Sequence, residues 1–165
     1  MRKMRQLLSF THDYQIMGFF DGAAKDGAGG CGFILYLNKD HFFHGRMGLD
    51  YSTNNFSELM AVWLLLHWAQ KQDLRDIKIF GDSHIVIGWL QGKSVLHAVS
   101  LTHWCSKIRE LINCFGQIHF GHIYREHNME ADKLSKKGIG CMVGVLQVEE
   151  VYGDTYRWIN DYRIY

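Results

Sequence analysis

Asp21, Glu58, Asp82 and Asp132 are the side chains of this 165-residue sequence whose types and positions could do chemistry together. Asp21 closes the apolar run Tyr14 to Phe20, and Asp82 closes Lys78-Ile79-Phe80-Gly81. Glu58 stands in the first turn of an apolar helical pattern, and Asp132 stands early in the last such pattern. Taken alone, each has a plain reading: Asp82, like Ser83 beside it, is an ordinary helix N-cap type. Gathered within a few ångströms, four carboxylates would repel one another and drive their pKa values upward unless a cation compensated them. That many hard oxygen ligands call for Mg²⁺ or Mn²⁺. Two such ions about 3.5–4 Å apart are a recurrent device for in-line attack on a phosphodiester.

Convergence requires the first and fourth strands to be adjacent and parallel, so that Asp21 and Asp82 lie side by side at one sheet edge. Glu58 and Asp132 would then reach in from flanking helices. The pattern of elements allows this. Tyr14 to Asp21 has strand composition and stops at the turn dipeptide Asp21-Gly22. Cys31 to Leu37, the turn Asn38-Lys39-Asp40 and His41 to Leu49 complete an antiparallel meander. From Ser52 the period changes: Leu59, Trp63, Leu66 and Gln70 follow helical spacing, with Asn55 as N-cap and Glu58 three residues on, as in a capping box. Asp76 to Phe80 is the next strand, a helix follows through Trp89 to a break at Gly92, and Val99 to Phe115 is again helical. Gln117 to Tyr124 alternates as a strand, and Asn128 caps a last helix closing at Lys136-Lys137-Gly138. Three strands, helix, strand, helices, strand, helix make an α/β fold with a five-stranded mixed sheet, in which ligands bind beyond the carboxyl ends of strands. Residues 1–13 form a basic leader with Arg2, Lys3 and Arg5, residues 14–138 the domain, and residues 139–165 a tail to which no role is assigned. Within that tail Gly144 to Tyr152 could form one more strand, and Tyr156 to Ile159 could dock on the body.

Several other readings are excluded. The run Gly27-Ala28-Gly29-Gly30-Cys31-Gly32 matches the dinucleotide fingerprint, but a strand follows it where the fingerprint needs a helix N-terminus. Its glycines suit a hairpin turn and close backbone approach instead. With 18 basic and 17 acidic residues the net charge is +1, so nucleic-acid binding would depend on local patches. Cys31, Cys105, Cys114 and Cys141 lack metal-site spacing and read as free, partly buried thiols. No apolar run is long enough to span a membrane and no signal-peptide pattern opens the chain. An intracellular protein, nuclear or cytoplasmic, is expected.

The same residues resemble the ribonuclease H family. Asp21-Gly22 after a strand, Thr53-Asn54-Asn55-x-x-Glu58-Leu59-x-Ala61, Asp82-Ser83 and Asn128-x-x-Ala131-Asp132-x-Leu134 stand in family order over about Tyr14 to Gly138. The chain is most similar to ribonuclease-H-like domains of plants, including those attached to retroelement reverse transcriptases, whose ending H-V-P-R-E-x-N-x-x-A-D corresponds to His122 to Asp132. The resemblance implies a ribonuclease-H-like fold and a metal-dependent endonuclease that hydrolyses the RNA strand of RNA–DNA hybrids. It implies two Mg²⁺ or Mn²⁺ ions held by Asp21, Glu58, Asp82 and Asp132, and no small-molecule cofactor. It also implies contacts of Gly22, Asn54, Asn55 and His84 with the hybrid, whose shallow minor groove exposes 2′-hydroxyls to amide side chains. The asparagines equally suit a turn and N-cap, and both roles can coexist. A monomer is expected.

The sequence also departs from the family. Bacterial-type members carry a loop with a catalytic histidine before the last helix, and Ile123 to Asn128 is too short to hold it. His127 and Arg125 are candidate substitutes, or simply capping and solvent-facing residues; His122 reads as packed within its strand. The lysine-rich handle of some members is absent, since Trp89 to Glu110 holds only Lys93, Lys107 and Arg109 as basic residues. Lys133, Lys136 and Lys137 either contact phosphates or complement a helix end. Trp89 and Trp104 read as core or as stacking residues. Affinity is expected to be modest and salt-sensitive. The alternative is a ribonuclease-H-like module that binds nucleic acid or protein with little or no catalysis.

Overall fold

The structure, a computed structural model, describes residues 16–50, 52–159 and 161–165. The leader and the expected strand start at Tyr14 lie outside the described residues. Strands β1 (Met17–Lys25), β2 (Ala28–Asn38) and β3 (His41–Leu49) form the expected antiparallel meander. One boundary differs from expectation. β1 does not stop at Asp21-Gly22 but continues to Lys25, and the chain reverses at Asp26 and Gly27, both at positive φ (54° and 83°). Pairing with β2 decides this, because Asp21 lies opposite Gly32 and Gly22 opposite Cys31, so the backbone groups of the dipeptide are already in a ladder.

Helix α1 (Asn54–Lys71) begins one residue after Thr53, whose Oγ1 accepts a hydrogen bond from Phe56 N at 3.2 Å. Thr53 is therefore the cap, in place of Asn55, and Glu58 does not close a capping box. The helix is apolar on most of its circumference and buries Leu59, Met60, Leu64, Leu65 and Trp68 against the sheet. β4 (Asp76–Gly81) runs parallel to β1, and β5 (Gln117–His122) runs parallel to β4. Between them lie α2 (His84–Leu90), capped by the Ser83 hydroxyl at 3.2 Å from Val86 N, and α3 (Thr102–Ile112). Helix α4 (Met129–Gly138) packs on the opposite face. There Met17, Phe19, Ile34 and Tyr36 meet Ala131 and Leu134 in a second, smaller core.

The glycine-rich run serves this packing. A Cβ at Gly30 would lie 2.3 Å from the Ser135 carbonyl oxygen, and one at Gly32 would lie 2.5 Å from Leu134 Cβ. Only glycine lets β2 come so close to α4.

The sheet is larger than five strands. Its order is β5-β4-β1-β2-β3, followed by β6 (Val145–Tyr152) and β7 (Thr155–Trp158), with β8 (Tyr162–Arg163) paired to β6. The expected strand after Gly144 is β6, antiparallel to β3; β7 pairs with β6, and β8 meets its start. Leu146 and Val148 of β6 join the main core, and Tyr162 packs edge-on against Trp68 of α1 at 5.4 Å. The tail thus covers what would otherwise be the open edge of β3. No described helix is long and apolar enough to cross a membrane.

Candidate functional site

The last paired residues of β1 and β4 are Phe19 and Phe80. Two residues further on in each strand direction stand Asp21 and Asp82, side by side at the carboxyl edge of the sheet as the parallel pairing requires. Glu58 joins them from the first turns of α1. Asp21, Glu58 and Asp82 each offer one oxygen, and these oxygens all lie within 4.8 Å of one another. Gly22 makes the approach possible: a Cβ there would fall 2.3 Å from Ser57 C and 2.4 Å from Glu58 N. Its N–H also donates to Asp21 Oδ1 at 2.9 Å. The resemblance assigned Gly22 to the substrate; its glycine identity is explained by the seating of α1 on β1.

The electrostatics are those of a cluster short of positive charge. Burial pushes the Asp21 carboxyl up to about 7, opposed by its hydrogen bond with Glu58 and reinforced by the charges of Asp82 and Asp132. Glu58, only 7% exposed, is also raised well above the ordinary glutamate range, by burial first and by Asp21 second. Among the described residues its Oε2 is buried without a hydrogen-bond partner. An orphaned carboxylate oxygen facing two further carboxylates is a donor set that fits a hard divalent cation.

Asp132 stands apart from this group of three. Its charge reaches Asp21, but its Oδ2 pairs with Lys136 Nζ at 2.9 Å along α4. An i,i+4 pair of this exposed kind is worth about 0.3–0.5 kcal/mol, so it holds Asp132 only loosely.

Around the carboxylates, Asn54 is exposed and Asn55 half-buried at the start of α1. His84 is exposed at the start of α2, and its ring stacks on His122 at 3.6 Å with 17° between planes. Arg125 is exposed and His127 half-buried in the 3-10 turn Arg125–His127. Among the described residues neither side chain hydrogen-bonds to the carboxylates. Trp89 is core, 9% exposed, with Arg109 stacked 4.3 Å from its ring and donating to the Trp89 and Leu90 carbonyls. Trp104 packs among Phe56, Trp63 and Lys107.

The roles of two residues at the site are not evident from the sequence. Asn128 holds the N-cap position of α4 without making a cap bond; its Nδ2 donates to Phe20 O at 3.0 Å and to Asp82 Oδ2 at 3.4 Å. His122 places Nε2 at 3.2 Å from Asp82 O.

Residues 19–138 match a family model described as reverse transcriptase-like. The chain belongs to this ribonuclease-H-type family. Solved ribonuclease H structures share its fold. RNase H1 from the halophilic archaeon Halobacterium salinarum NRC-1 aligns with TM-score 0.69 and 26% identity over 76% of this chain and 98% of that one. The N-terminal RNase H domain of a Mycobacterium tuberculosis protein gives TM-score 0.71 and 19% identity over 78% and 95% of the two chains. LC11-RNase H1, isolated from compost and solved in complex with an RNA/DNA hybrid, gives 0.70 and 23% over 76% and 97%. No curated protein sequence matches the chain. The family match ends at the end of α4, so β6, β7 and β8 lie beyond it.

Proposed function

We propose that this ribonuclease H family member is a divalent-metal-dependent endonuclease that hydrolyses the RNA strand of RNA–DNA hybrids. The observation that carries the reading is the convergence of Asp21, Glu58 and Asp82 within 4.8 Å, with a buried Glu58 oxygen left without a partner. In it these three residues, together with Asp132, would hold two Mg²⁺ or Mn²⁺ ions. When bound, such ions supply charge stabilisation to an in-line displacement at phosphorus. The chain's own residues do the rest. Asn54, Asn55 and His84, all at helix starts around the cluster, face the hybrid, where amide and imidazole groups can meet the 2′-hydroxyls that distinguish RNA from DNA. His127 and Arg125, in the turn before α4, are the groups available to assist proton transfer or product release.

Asp132, paired with Lys136 outside the group of three, favours one second reading: a hybrid-binding module of this fold with little catalysis. Incubation of the protein with a labelled RNA–DNA hybrid, beside RNA–RNA and DNA–DNA duplexes, in Mg²⁺, Mn²⁺ and chelator, separates the two. Metal-dependent cutting of the hybrid's RNA alone supports the nuclease; intact hybrid in both metals, with binding retained, supports the module.

A further inference from the structure

Asp82 stands on backbone that no strand holds. Pairing of β4 with β1 ends at Phe80, and pairing with β5 ends at Gly81 opposite His122. Asp82 lies between Gly81, the end of that ladder, and Ser83, the cap of α2, and two side chains touch it from different sides. His122 approaches the main chain, donating from Nε2 to the Asp82 carbonyl oxygen at 3.2 Å. Its ring is itself fixed, stacked on His84 at 3.6 Å and met edge-on by Tyr124 at 5.8 Å. Asn128 approaches the carboxylate. It is fully buried, and its Nδ2 bridges the Phe20 carbonyl, immediately before Asp21, and Asp82 Oδ2. Turning the amide over would set Oδ1 against two acceptors, so its orientation is determined. In this orientation α4 forgoes an N-cap bond and, among the described residues, Asn128 Oδ1 stays buried without a partner. A capping residue would avoid the first of these costs to folding and an apolar residue the second.

We infer that Asn128 and His122 are positioning residues for Asp82. Asn128 sets the gap between the end of β1 and the Asp82 carboxylate and fixes the rotation of its carboxyl plane. His122 fixes the Asp82 main chain and ties it to His84, one of the residues facing the hybrid. The inference rests on the reading of Asp82 as a metal ligand, for which neighbours of this kind govern affinity.

The test is Mn²⁺ titration by calorimetry, with melting temperatures in chelator and in Mn²⁺, for wild type, Asp82→Asn, Asn128→Ala, His122→Phe and His122→Gln. His122→Phe keeps a stacking ring and loses the donor; His122→Gln keeps a donor and loses the ring. Asn128→Ala and His122→Phe are expected to weaken Mn²⁺ binding by about tenfold or more. Both should lower kcat on the hybrid while leaving its KM within about twofold, and His122→Gln should recover most of the loss. Variants that melt lower in chelator yet bind Mn²⁺ as tightly as wild type would overturn the inference and leave the two residues a purely structural role. If Asn128→Ala does not fold, the His122 pair decides by the same criterion. Wild-type Mn²⁺ affinity in Asp82→Asn would overturn the metal-site reading, and the inference with it.

Discussion

Glu58 sits beside Asp21 with one oxygen unpaired, and both carboxyls are raised because each is asked to ionise in a poorly solvated place next to the other. Removing that charge while keeping the shape should relieve the metal-free protein. Glu58→Gln is expected to raise the melting temperature in chelator by about 2–4 °C, the shift that roughly 1 kcal/mol gives a domain of this size. The same change should lower Mn²⁺-dependent hybrid cleavage by about a hundredfold or more. Thermal melts beside cleavage rates check both, and a lower melting temperature in chelator would count against a strained cluster. Gly22→Ala acts by a different route, because its new Cβ meets α1 backbone, which cannot swing aside. A loss of about 3 kcal/mol or more is expected in urea unfolding. An unchanged midpoint would mean that α1 is less tightly seated than the geometry shows. Asp21, Glu58 and Asp82 come together as adjacent parallel strands would require, whereas Asp132 stands outside that group, paired with Lys136. The roles of Asn128 and His122 were not legible in the sequence, because an asparagine ahead of a helix reads as its cap, and a histidine inside an alternating run reads as packing.

Elements were legible where period or end signals decide them. Helix α1 and the alternating β5 follow from 3.6- and 2-residue spacing, and α4 from its end signals at Asn128 and Lys136-Lys137-Gly138. β1 runs past the stop expected at Asp21-Gly22 because that dipeptide has turn composition, whereas the ladder to β2 and the seating of α1 require an extended backbone and a glycine there. The cap of α1 lies two residues before the expected Asn55 for a similar reason, since Thr53, Asn54 and Asn55 all have capping side chains and only geometry selects among them. Pairing between elements also sets a pH dependence. His44 of β3 faces Glu149 of β6 at 3.7 Å, with Glu130 and Lys137 of α4 nearby. Burial lowers its pKa below the ordinary 6.5, more than the two glutamates restore. Below about pH 6.5 the unfolded chain takes up a proton that folded His44 resists, so its contribution to stability falls as pH drops. His67, lowered by burial and Lys71, acts in the same direction. Urea unfolding from pH 8 to pH 5 should therefore show a shallower acid loss in His44→Phe than in wild type. Equal slopes would mean that His44 titrates alike in the folded and unfolded chains.

At the scale of the whole molecule, the tail is the feature composition could not place. β6 hydrogen-bonds to β3 across 101 residues of chain, as in Arg46 to Gln147, and no local pattern encodes so distant a partner. Its burial makes it part of the sheet. Deleting residues 139–165 would strip Leu146, Val148 and Val151 from the interior, each worth about 1.5–3 kcal/mol, and bare the edge of β3. A loss of roughly 5 kcal/mol or more is comparable to the whole stability of an ordinary domain. The shortened protein should be aggregated or molten by near-ultraviolet circular dichroism, and a soluble product melting like wild type would contradict this. In the proposed function, the assembled edge of β1 and β4 cuts the RNA of a hybrid with Asp82 as one of its metal ligands. The most direct test is single-turnover cleavage of an end-labelled RNA–DNA hybrid in Mn²⁺ by wild type and by Asp82→Asn. RNA-strand cutting by wild type that vanishes in chelator and falls by about a hundredfold or more in Asp82→Asn is the predicted result. Equal cutting by the two proteins, or none by folded wild type that still binds the hybrid, would contradict it.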